Sequence, residues 1–191
     1  MARKVVAIGG TLRANSSSEL LARAVLAKCA ALGAETQLFD GPTLAQLPHF
    51  NPESDQRTDG QLALVQAVRS AHALVIATPG YHSGVSGVVK NAIDLLEDTR
   101  TDSRVYFDNM PVGLIVSAAG WQAGGVTLAA LRGIVHAMRG WPTPVGITLN
   151  SIEQRPFGPD GTLQDATVAE AVTLQAQQLM GFTFARTNDL C

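Results

Sequence analysis

The chain has 191 residues, 46% of them hydrophobic, and its 14 Lys and Arg against 16 Asp and Glu leave a net charge of −2. That length suits one domain, residues 1–191, with a sizeable core. The charge balance and the lack of a Lys/Arg cluster speak against a nucleic-acid surface, and no apolar run nears the roughly 18–20 residues of a membrane helix.

The N-terminus carries a basic pair but too short an apolar run for a secretory signal, so a cytoplasmic location is the expectation. Lys4–Ile8 is a nearly continuous β-branched run, the pattern of a strand buried on both faces. Ser16–Leu32 follows with Leu21, Val25, Cys29 and Leu32 at helical spacing, and Gly33 is a natural stop. Cys29 reads as a buried thiol and Cys191 as an exposed terminal one; their spacing suggests neither a metal site nor a disulfide framework. Glu35–Asp40 reads as a second strand.

Gly41–Gly60 is rich in proline and polar residues and reads as a long loop, of the kind that forms lids, subunit contacts or disordered segments. Gln61–Ala71 is a second helix, and Ala73–Ala77 the strongest central strand. A Pro/Gly/Ser-rich turn, Thr78–Gly87, leads into a third helix from about Ser86. Glu97–Pro111 is irregular, and Val112–Val116 is a fourth strand followed by the small-residue stretch Ser117–Gly125. Leu128–Met138 is helical, Thr143–Leu149 a fifth strand, and Val168–Leu179 a final helix. Five strands alternating with five helices predict a doubly wound α/β fold with a parallel sheet between helical layers. Ligands of such sheets bind beyond the carboxyl ends of the strands, so the loops after strands one, three and four define the expected site.

The first of these loops, Gly9–Ser18, offers Thr11, Arg13, Asn15, Ser16, Ser17 and Ser18, with no acid before Glu19. Hydroxyls, one arginine and the N–H groups of a helix start suit a terminal phosphate, while Ser16 also serves as a helix cap. The dinucleotide, Walker and nucleophile-elbow motifs are absent. The second loop has no basic residue before Lys90. Its Tyr81 and flanking glycines suit a planar heterocycle with polar edges. His82 has no nearby carboxylate to orient it and reads as a polar loop residue, and Lys90 and Asp94 read as a surface pair one helical turn apart. In the third loop Trp121 suits either a ligand or a subunit contact.

Together these loops resemble the NADPH-dependent FMN reductase family of the flavodoxin-like fold. The first motif is carried by Gly10-Thr11-Leu12-Arg13-Ala14-Asn15-Ser16-Ser17-Ser18, and the second by Pro79, Tyr81, Gly87, Lys90, Asn91, Ala92, Ile93 and Asp94. Gly80 stands where the family has an acidic residue and His82 where it has Asn, which bears on flavin affinity and substrate preference. The resemblance implies an FMN-binding oxidoreductase that takes hydride from NADPH or NADH and passes electrons to FMN, a quinone, an azo compound or a metal oxyanion. It implies Thr11, Arg13, Ser16 and Ser18, with Ser17 beside them, on the phosphate. It places Pro79, Gly80, Tyr81, His82 and Ser83 around the ring, and Ser117 and Gly120 on its far edge. It calls for no metal and no catalytic side chain, since the flavin carries the chemistry. It also implies a homodimer or homotetramer. Two other readings fit the loops: a flavin-binding electron carrier or regulatory module without NADPH turnover, and a flavin-free phosphate-site hydrolase relying on Asp40 and Asp94.

Overall fold

The computed structural model describes residues 2–183. Cys191 therefore lies outside the described residues. The elements, in order, are β1 (Lys4–Gly9), α1 (Ser17–Ala31), β2 (Glu35–Phe39), α2 (Gly41–Leu44), α3 (Asp59–Ser70), β3 (Ala73–Tyr81), β4 (Gly84–Val85), α4 (Gly87–Asp94), a 3₁₀ turn (Leu95–Thr99), β5 (Pro111–Ala118), α5 (Trp121–Ala137), β6 (Trp141–Asn150) and α6 (Ala166–Gly181). The five long strands pair in parallel in the order β2-β1-β3-β5-β6. That is the doubly wound flavodoxin-like order, whose switch point lies between β1 and β3. The sixth strand, β4, is an addition to the five expected. It folds back antiparallel on the end of β3, with Gly80 opposite Val85 and Tyr81 opposite Gly84.

The alternation of side chains along each strand divides the core in two. Val6, Ile8, Leu74, Ile76, Val112, Leu114 and Val116 face α3, α4 and α5, whereas Val5, Ala7, Ala73, Val75, Ala77 and Ile115 face α1 and α6. Every residue of β5 is buried, so truncating one such as Leu114 to Ala would cost about 2–5 kcal/mol. Cys29 lies in the second cluster, where burial pushes its thiol up to about 11 and keeps it protonated and inert.

Four regions depart from the sequence expectations. Asp40 ends no strand; its carboxylate accepts from the Thr43 amide at 3.0 Å and caps α2, which Pro42 helps to start. The rest of the 41–60 segment is fastened down. Arg57 forms a two-pronged ion pair with Asp98, at 2.8 and 2.9 Å, and lies 5.2 Å over the Phe50 ring. Asn91 accepts from the Phe50 amide at 2.8 Å and donates to the Pro48 carbonyl at 3.1 Å. Asn91 of the second motif is thus a fastener for this segment. α5 begins at Trp121, seven residues before the expected Leu128, so most of the small-residue stretch is helical. The glycines there cost helix propensity, but contacts of α5 with β4, β5 and β6 outweigh it. Finally, β6 starts at Trp141 and carries Pro142 and Pro144, tolerable because it is an edge strand with an irregular register near Val112. Buried Gln175 repairs that break, its amide donating to the Leu114 and Val145 carbonyls at 3.1 and 2.9 Å.

Candidate functional site

The first loop is shaped by backbone before side chains. Gly10 has φ +116 and Asn15 φ 56, conformations that glycine and asparagine adopt most readily. The Thr11 hydroxyl accepts from the Arg13 amide at 3.1 Å and closes a tight local turn. Ser16 then caps α1, its hydroxyl accepting from the Glu19 amide at 3.4 Å, and it lies 3.3 Å from the Ser18 hydroxyl. Both serines are buried, while Arg13 projects outward and makes no ion pair among the described residues. The one nearby acid, Glu19, is buried behind Gly10 and tied by Oε1 to Arg23 at 2.9 Å, with Oε2 left unpartnered. Arg23 also reaches Asp40 at 3.3 Å.

The second loop is a hairpin. Thr78 Oγ1 accepts from the Ser86 amide and donates to the Pro79 carbonyl, both at 3.0 Å, which fixes its base. Its two-residue turn is His82-Ser83, at φ 51 and 62, the positive values a type I′ turn requires. Gly80 and Gly84, expected to let the backbone approach a ligand closely, lie outside that turn at strand positions. Gly80 is needed for another reason. A Cβ there would stand 3.0 Å from both Ala118 Cβ and Thr127 Oγ1 and 3.3 Å from the Ala123 carbonyl. The loop's departure from the family acid at this position thus goes with close packing against α5. Tyr81 is 58% exposed, so it is not a packing residue of the strand end.

These loops meet around a cavity of about 290 Å³. Its lining comprises Thr11, Arg13, Ser16, Ser17 and Ser18 from the first loop, Pro79, Gly80, Tyr81 and His82 from the second, and Ser117, Ala118 and Ala119 from the third. Ser83 and Gly120, also expected here, adjoin lining residues without belonging to the lining. Ser151 was missed by sequence. It reaches the cavity from the loop after β6, where its amide and hydroxyl both donate to the Ala118 carbonyl at 2.8 and 3.1 Å. No motif marks it; only the rule that strand ends face the ligand could have suggested it. Arg13 is the one fixed charge in the lining, and no carboxylate enters it.

Asp40 and Asp94, required by the hydrolase reading, both lie outside the lining of this cavity. The Thr43 hydroxyl holds the Asp40 carboxyl below its ordinary range while the group caps α2. Asp94 pairs with Lys90 at 2.7 Å in a different and larger cavity of about 800 Å³. Most charges lining that second cavity are paired, as Arg57–Asp98, Arg100–Glu97 and Lys90–Asp94. The smaller one gathers Arg13 and the hydroxyls of Thr11, Ser16, Ser17 and Ser18, which makes it the candidate site.

A helix N-terminus carrying hydroxyls and an arginine, beside a hairpin with an exposed aromatic ring at the β1/β3 switch point, is the arrangement of a flavodoxin-like α/β protein with a candidate mononucleotide site. Comparison with known proteins narrows this. Residues 3–153 match the model of the NADPH-dependent FMN reductase family. The chain is 30% identical over 151 residues to the FMN-dependent NADPH-azoreductase of Staphylococcus aureus, covering 75% of each, and 29% identical over 150 residues to the NADPH azoreductase of Bacillus sp. (strain OY1-2), covering 78% of each. Among solved structures it resembles the flavoenzyme NAD(P)H:(acceptor) oxidoreductase FerB of Paracoccus denitrificans, with a TM-score of 0.75, 21% identity and coverage of 94% and 98% of the two chains. The chain belongs to the NADPH-dependent FMN reductase family. It is accordingly an FMN-dependent NAD(P)H oxidoreductase.

Proposed function

We propose that the cavity holds FMN with its phosphate on Thr11, Arg13, Ser16, Ser17 and Ser18 and its ring between Pro79–His82 and Ser117–Ala119. The donor set is the observation that carries this: hydroxyls, a helix start and an unpaired arginine in one lining, with no carboxylate to repel an anion. When bound, FMN supplies hydride and electron transfer. The chain's part is to bind and orient. Arg13 and the α1 N-terminus hold the anionic end. The Thr78 hydroxyl fixes the hairpin base and so the position of the Pro79–Tyr81 backbone beside the ring. Gly80 lets that backbone rest against Ala118 and Thr127. At about 290 Å³ the cavity is at the small end for a ligand site, which fits a flavin with one face open to the nicotinamide and then to a small acceptor such as a quinone, an azo compound or a metal oxyanion.

The same proposal makes the whole chain one cytoplasmic FMN-binding domain that acts on small molecules, not on nucleic acid. No helix among the described residues is long and apolar enough to cross a membrane. The 800 Å³ cleft beside α4 and the end of α5, with Phe50, Ile134 and Met138 in its wall, is our candidate contact for a homodimer or homotetramer; light scattering at working concentration checks it. The reaction is tested by the visible spectrum of the purified protein followed by NADH and NADPH oxidation with an acceptor panel. Flavin absorbance with acceptor-dependent turnover is the expected result. FMN binding without turnover makes the protein an electron carrier, a role its mild charge of −2 does not favour. No FMN binding at all overturns the proposal.

A further inference from the structure

Four large apolar side chains stand exposed on the four loops at the carboxyl end of the sheet: Leu12 after β1, Tyr81 at the end of β3, Trp121 after β5 and Ile152 after β6. Trp121 differs from the other three. Its indole Nε1 donates to Glu153 Oε2 at 2.9 Å, although the residue remains 51% exposed. Glu153 is held in turn. Asn150 Oδ1 accepts from the Ile152 and Glu153 amides at 3.1 and 3.4 Å, and Gln154 Oε1 accepts from the Asn150 amide at 2.9 Å. The same loop is pinned by Ser151 to Ala118, and both of these residues line the cavity. The indole thus bridges the loops after β5 and β6, two residues along from the lining residues Ala119 and Ser151 though not itself in the lining, and stays half-exposed. Glu153 makes no ion pair among the described residues, so its charge stays beside the indole.

We propose that Trp121 is the platform for the electron acceptor and Glu153 its positioning residue, and that together they select a flat, uncharged aromatic acceptor over an anionic one. This rests on the reading of the cavity as the FMN site. A fixed indole face offers an aromatic ring an offset-stacked partner, and the adjacent carboxylate repels a sulfonate or carboxylate on the acceptor. The Trp121 indole needs only an acceptor oxygen at position 153, whereas the selectivity needs the charge, and glutamine separates the two.

The test uses FMN-loaded protein with 1,4-naphthoquinone and 1,4-naphthoquinone-2-sulfonate. Trp121→Leu is expected to raise the KM of the neutral quinone about fivefold, and Trp121→Phe to raise it less. Glu153→Leu should resemble Trp121→Leu for the neutral quinone. Glu153→Gln should leave that KM near the wild-type value and lower the KM of the sulfonate roughly threefold. A readout that needs no turnover is indole emission in a Trp141→Phe background. Titration of oxidised protein with 1,4-naphthoquinone should give saturable quenching in the wild-type site and in Glu153→Gln. Neutral-quinone KM values that Trp121→Leu leaves unchanged, or quenching as linear as that of free N-acetyltryptophanamide, overturn the inference while leaving the flavin reading intact. So does a drop in oligomer mass for Trp121→Leu, which would make the residue a subunit contact. Wild-type protein that binds no FMN overturns both.

Discussion

The first two loops that line the cavity solve the same problem by opposite means. Residues 10–18 put strain where it is cheap: Gly10 and Asn15 take the positive φ angles, and an oxygen-bearing side chain caps the helix that follows. Residues 79–85 put it where it is dear: His82 and Ser83 take the positive φ angles, while Gly80 and Gly84 occupy extended strand positions. The first loop closes its turn with its own Thr11 and caps the helix that follows with its own Ser16. The hairpin is built around its neighbours, because Gly80 is fixed by the packing of Ala118, Ala123 and Thr127. A change in the first loop should therefore act on ligand affinity, and a change in the hairpin on packing and stability before it acts on the ligand.

The largest effect expected is on affinity. Arg13→Ala removes a charge-assisted contact to phosphate and should weaken FMN binding by about 1.5–3 kcal/mol, with riboflavin, which lacks the phosphate, little affected. Fluorescence titration with both ligands measures it. Because Arg13 is exposed and makes no ion pair among the described residues, the urea midpoint of the apoprotein should hardly move. Equal losses for FMN and riboflavin would erase the contrast between the loops.

Gly80→Ala is the matching change on the other side. The added Cβ meets Ala118 Cβ and Thr127 Oγ1 at 3.0 Å, tighter than ordinary contact, so α5 or the hairpin must shift. Overpacking of this kind costs about 1–3 kcal/mol, read as a lower urea midpoint with an unchanged m-value. Thr127 Oγ1 is buried without a partner, so Thr127→Ala removes both an obstacle and an unsatisfied group. The double variant should recover part of the loss, a coupling that a cycle of the four proteins measures. Strict additivity would mean that Gly80 is not held by α5.

What the sequence revealed follows the same division. The parallel sheet was legible because β1, β3 and β5 are continuous apolar runs, and the first loop of the cavity because Thr11 to Ser18 lie together in sequence just before a helix. The short helix after β2 also left a signal, Asp40 as cap and Pro42 at its start. The hairpin did not: a type I′ turn without Asn-Gly carries no local mark, and its pairing is visible only once β3 runs on to Tyr81. The start of α5 was hidden because Gly120, Gly124 and Gly125 favour a loop until the sheet is there to pack against. Ser151 reaches the cavity from beyond the end of the last strand and has no motif at all.

The smallest effect expected concerns that unmarked turn. Ser83 sits at φ 62 and His82 at φ 51, and glycine adopts such angles freely whereas serine and histidine do not. Ser83→Gly should therefore stabilise the fold by up to about 1 kcal/mol, and His82→Asn by less, since asparagine tolerates the left-handed region better than histidine. Differential denaturation of the apoprotein reads this directly. The gain is offset by the greater backbone freedom of glycine in the unfolded chain, which is why the estimate is an upper one. If Ser83→Gly instead destabilises the protein, the Ser83 side chain makes a contact that outweighs its backbone conformation, and the hairpin is not the strained partner in this pair of loops. If it stabilises the apoprotein but slows acceptor reduction, the strain holds Tyr81 in place at the cavity, and stability and function are opposed at this one turn.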